Sequence, residues 1–62
     1  MSQLYVVARD QGEDYMLISI EGGVLAFEGK HVAEDFSDRL DMDGEFVVLP
    51  YEATMGPMVV VT

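Results

Sequence analysis

Apolar and polar positions alternate along the chain in blocks that change period once. Residues 4–9 are rich in β-branched and aromatic side chains, and Asp10, Gln11, Gly12, Glu13 and Asp14 then form a polar stretch before a second such run at 15–20. Two β-prone runs joined by a short polar turn predict a β-hairpin. Glu21, Gly22 and Gly23 follow. Paired glycines supply the positive φ angles of a tight turn, so 24–28 is predicted to return as a third antiparallel strand. After Gly29 the period lengthens, with Val32, Ala33, Phe36 and Leu40 on one helical face and charged residues on the other, which predicts a helix over 30–41. Gly44 marks a stop, 45–49 reads as a strand closed by Pro50, 51–57 as a loop with a Gly-Pro pair, and 58–62 as a short terminal strand. The expected fold class is α+β, in the order βββαββ, an antiparallel-rich twisted sheet with one helix packed on one face.

One helix covers one face of such a sheet, and the other face should turn polar if it meets water. If Leu4, Val6, Met16, Ile18, Ile20, Leu25 and Phe27 face the helix, alternation sends Tyr5, Val7, Tyr15, Leu17 and Val24 to the far side, leaving a second apolar patch. Two accounts follow. Either the sheet curls and this face closes on itself or on the 51–57 loop, or Tyr5, Val7, Tyr15 and Leu17 form an interface with a second copy or a target.

Sixty-two residues give room for one domain with a small core. The absence of cysteine removes disulfide staples and thiolate metal sites, and no basic and apolar leader opens the chain, so the expected location is cytoplasmic. No apolar run approaches a membrane span. The charge changes the picture more: twelve acidic residues against three basic ones leave a formal net charge of −9, while half of the chain is hydrophobic. Such a chain has the material to fold, yet it repels nucleic acid, nucleotide phosphates and anionic membrane. Basic protein surfaces are the natural partners.

Catalytic chemistry finds little support. His31 stands alone at the start of the helix, Ser2, Ser19 and Ser37 lie outside any G-x-S-x-G elbow, and the glycines form neither a P-loop nor a G-x-G-x-x-G turn. No enzyme activity and no cofactor are expected. Asp41, Met42, Asp43, Gly44 and Glu45 suggest part of a calcium loop, but with Gly44 at the glycine position the first ligand becomes Arg39 and the closing carboxylate Pro50. No metal site is expected.

Nine of the twelve acidic residues fall in two groups: Asp10, Glu13 and Asp14 in the first turn, and Glu34, Asp35, Asp38, Asp41, Asp43 and Glu45 within twelve residues. Glu34 and Asp38 are like charges at i,i+4, and Asp38 and Asp41 lie toward a helix C-terminus, where the macrodipole favours cations. Asp35 with Arg39 is the one favourable pair at that spacing. Helix stability therefore does not account for the placement. The row Glu34, Asp38, Asp41 spaces carboxylates about 5–6 Å apart, on the order of successive phosphates along a strand.

The expectation is a small acidic inhibitor or decoy that occupies the basic surface of a nucleic-acid-binding protein. DNA-mimic and anti-CRISPR proteins of phages and mobile elements are similar in size and charge, an analogy of composition and not of motif. The alternative is a small bacterial accessory or assembly protein that homodimerises through its second sheet face, with acidity serving solubility.

Overall fold

The computed structural model describes residues 3–61. Ser2 and Thr62, the last residue of the predicted terminal strand, lie outside the described residues. Strand β1 spans Tyr5–Asp10, β2 Tyr15–Leu17, β3 Ser19–Ile20 and β4 Gly23–Phe27; helix α1 spans Lys30–Arg39; β5 spans Glu45–Pro50, a 3-10 turn Ala53–Met55, and β6 Met58–Val61. The architecture is α+β, with strands, helix and strands in the predicted succession.

β1 is the centre of the sheet. β5 pairs antiparallel along its whole length, from Tyr5↔Pro50 to Asp10↔Glu45. The opposite edge of β1 is divided: residues 8–10 pair with β2, whereas Tyr5 and Val6 pair with Phe27 and Ala26 of β4. The run predicted as one strand is therefore two, hinged at Ile18. The Ile18 N–H donates to the Val7 carbonyl at 3.1 Å, and the Ile18 carbonyl accepts from the Leu25 N–H at 3.1 Å. Beyond this hinge the chain leaves β1 and follows β4, with Ser19 opposite Val24 and Ile20 opposite Gly23. β6 adds to β4 in parallel, the one parallel pairing among the described strands.

That parallel addition needs a glycine at its start. Gly23 has φ +144°, and a Cβ there would lie 2.3 Å from the Pro57 carbonyl oxygen. The same carbonyl accepts the Val24 N–H at 3.0 Å. Only a residue without a side chain lets the two backbones approach so closely.

Two apolar clusters form, one on each side of the sheet. Val7, Phe27 and Ala33 are buried beneath the helix with Tyr5, Ile18, Leu25, Phe36, Leu40, Phe46 and Val48 around them. The rings of Phe27 and Phe36 are 5.1 Å apart and tilted by 40°, a favourable aromatic geometry. On the far face Val6, Val24 and Ala26 are buried against Leu4, Leu17, Leu49, Tyr51 and Met55. Tyr51 and Met55 belong to the segment after β5 and pack across the face, while the Tyr51 hydroxyl donates to the Gly56 carbonyl and closes that segment on itself. The loop thus covers the second face.

The helix-facing set needs correction for β1. Tyr5 and Val7 face the helix, and Leu4 and Val6 face the loop. Both phases of β1 are apolar, so its pattern alone did not fix the face; pairing of Tyr5 with Phe27 does. Met16 and Ile20, predicted in the core, are 55% and 51% exposed, and Val32 is 45% exposed. α1 lies over β5, β1 and β4, which leaves β2 and β3 beyond its edge. Ala33, Phe36 and Leu40 supply the helix's contact with the sheet instead.

Candidate functional site

α1 leaves β4 at the end of the sheet where Phe27 pairs with Tyr5, and the chain re-enters the sheet at Glu45, paired with Asp10. The connection after the helix therefore lies at the same end as the first hairpin turn, since Asp10 is also paired with Tyr15. This topology brings the first acidic group to the same end as the second half of the later one. Asp10, Glu13 and Asp14 from the hairpin turn and Asp41, Asp43 and Glu45 from the helix-to-strand connection thus belong to the same end of the sheet, with Asp10 directly opposite Glu45.

Local geometry fixes both segments. Gly12, with φ +94°, donates its N–H to Asp10 Oδ1 at 2.8 Å, and the Gln11 N–H donates to the Asp14 carbonyl at 2.9 Å. On the other side Gly44, with φ +120°, backs onto Arg9, whose Nε would lie 2.7 Å from a Cβ at that position. Arg9 thus backs onto this connection, and Arg39, the last residue of α1, stands two residues before Asp41 at the same end. Asp10 and Glu45 stand directly opposite each other on adjacent strands, a like-charge pairing that opposes strand association.

Every acidic side chain of the chain is exposed except Asp10, which is half-buried. Glu34 and Asp38 lie on α1, exposed, one helical turn apart. The predicted stripe stops there: the helix ends at Arg39, and Leu40 is already extended (φ −69°, ψ 124°), so Asp41 is turned out of the row and belongs to the sheet-end group. Asp35 and Arg39 form the predicted ion pair at 3.3 Å, the one such pair among the described residues. Both side chains are well exposed, so the pair contributes only about 0.3–0.5 kcal/mol. Glu21, Glu28 and Glu52 are exposed as well.

Of the residues considered for an apolar interface, Tyr5 and Val7 lie under the helix, Leu17 packs in the opposite cluster and Tyr15 is 52% exposed. Val7 is fully buried within the chain. The four do not share a surface, because the register of β1 splits them between the two faces.

His31 is exposed on the first turn of α1. Among the described residues no three His, Cys, Asp or Glu side chains are gathered to hold a metal ion, and no helix is long and apolar enough to cross a membrane. A groove of ≈ 310 Å³ runs between α1 and β5, lined by Lys30, Glu34, Ser37, Asp38, Phe46, Val47 and Val48. The sequence reading missed this groove. Lys30, Glu34, Ser37 and Asp38 do recur at helical spacing, but the neighbouring strand becomes visible only through the pairing of β5 with β1. Comparison with protein-family models, with curated proteins and with solved structures finds no match to this chain.

Proposed function

We propose that this chain is an acidic protein-binding module that blocks the basic, nucleic-acid-binding surface of another protein, as an inhibitor or decoy and not as an enzyme. The observation that carries the reading is the placement of Asp10, Glu13, Asp14, Asp41, Asp43 and Glu45 at one end of the sheet, six carboxylates against Arg9 and Arg39. Backbone pairing holds both segments, so the charges are positioned by the fold and not by mutual attraction. The facing of Asp10 and Glu45 on adjacent strands opposes strand association, and a feature that opposes folding fits a role in recognition.

A concentrated negative field speeds encounter with a basic groove and disfavours acidic competitors. The partner's lysines and arginines would meet carboxylates where they otherwise meet phosphates. Partners of this kind include nucleases, polymerases, repair enzymes and phage-defence complexes, and an origin in a phage or mobile element suits the small size and the charge.

The test is capture from a bacterial lysate on the immobilised chain, beside a variant carrying Asp10→Asn, Asp43→Asn and Glu45→Gln. The reading expects a nucleic-acid-binding protein retained by the parent chain at moderate salt and lost from the variant. Equal retention by both chains would assign recognition to another surface.

A further inference from the structure

β5 is an edge strand: β1 occupies one side, and among the described residues nothing pairs with the other. The Tyr51 N–H donates to the Leu4 carbonyl at 2.7 Å, which fixes the phase of the ladder. Residues 45, 47 and 49 then bond to β1, while the N–H and C=O groups of Phe46 and Val48 point away from it. Pro50 has no N–H to offer and closes this edge at its C-terminal end. The same two residues line the groove whose other wall is the α1 face bearing Lys30, Glu34, Ser37 and Asp38. Unpaired backbone donors and acceptors thus lie beside two exposed carboxylates.

From this juxtaposition we infer that the groove binds an extended basic segment of a partner, which adds to β5 as an antiparallel strand with alternate lysine or arginine side chains on Glu34 and Asp38. The spacing fits. Glu34 and Asp38 are separated by a rise of about 6 Å along the helix, and alternate side chains on one face of a strand are about 6.7 Å apart. α1 runs lengthwise from the Tyr5 end of the sheet to the Asp10 end, so its carboxylates follow the direction of the edge. Main-chain bonds supply affinity in such strand addition, and the alternate side chains supply selectivity. A second copy of this chain is a poor occupant, since it carries the same net charge of −9 and would bring its own Glu34 and Asp38 to the edge.

The inference rests on the reading that the chain binds basic protein, but not on competition with nucleic acid. The probe is a fluorescent octapeptide of alternating lysine and threonine, followed by anisotropy and by amide hydrogen exchange of the full chain. A lysine paired with Phe46 or Val48 places both its side chain toward the helix and its amide toward the edge. Methylation of the lysine amides should therefore weaken binding about tenfold or more, whereas methylation of the threonine amides is tolerated. Exchange at Phe46 and Val48 should slow only in the complex, and Glu34→Gln with Asp38→Asn should weaken binding about 3- to 10-fold at low salt. Absence of binding, equal binding of the two methylated peptides, or protection of Phe46 and Val48 in the free chain through self-pairing would each overturn the inference. If the peptide fails while a DNA-displaceable partner is captured, the decoy reading stands without the groove. If the peptide binds as described and no such partner exists, the groove stands alone.

Discussion

Gly23 carries more of the fold than its size suggests. Its positive φ starts β4, and the space where a Cβ would sit is filled by the Pro57 carbonyl that bonds Val24. Replacement by alanine must both strain the backbone and push β6 away, because the obstructing atoms are main chain. Gly23→Ala is expected to lower stability by about 2 kcal/mol or more, with faster amide exchange across 58–61, read by urea denaturation and hydrogen exchange. A stability change below about 0.5 kcal/mol would show that β6 is not held at this point. The sequence pointed to Gly22 and Gly23 as a turn, and the turn is there. It did not reveal the Pro57 contact, which depends on a pairing across more than thirty residues.

At the scale of elements, the change of period after Gly29 and the breaks at glycine and proline made every main element legible to within about two residues. The hinge at Ile18 was not, because 15–20 is apolar but for Ser19 and contains neither glycine nor proline. Only the competition between β1 and β4 for the same run divides it. The facing of β1 escaped for a related reason: Leu4, Tyr5, Val6, Val7 and Ala8 offer two apolar phases. The helix gives the clearest prediction here. Asp38 lies in its last turn, one turn from Glu34, so its charge opposes both the macrodipole and its neighbour. Asp38→Asn should raise stability by about 0.5 kcal/mol, seen as a higher urea midpoint with unchanged slope. A lower midpoint would mean that Asp38 makes a stabilising contact absent from this geometry.

Across the whole molecule, all but one of the twelve acidic side chains are exposed, and six of the twelve belong to the end of the sheet that holds the first hairpin turn and the connection after the helix. Charge and composition led to the expectation of a basic partner. The place where the charges gather was hidden, since Asp10 and Glu45 become neighbours only through the β1–β5 register. Self-repulsion of this kind is screened by salt: raising ionic strength from about 0.01 to 1 M shortens the Debye length from about 30 to 3 Å. Stability of the parent chain should rise over that range. The gain should shrink in the Asp10→Asn, Asp43→Asn, Glu45→Gln variant, and equal gains in both would show that the sheet-end carboxylates do not repel one another appreciably.

The most direct measurement of the central claim is a competition. The protein retained on the immobilised chain is challenged with increasing duplex DNA, and its release is followed at fixed moderate salt against a neutral polymer control. The account predicts that DNA displaces the partner in a saturable manner, and that the free chain in turn displaces the partner from DNA. Retention of the partner under saturating DNA, with both bound at once, would contradict it, since the carboxylates would then not be standing in for phosphates.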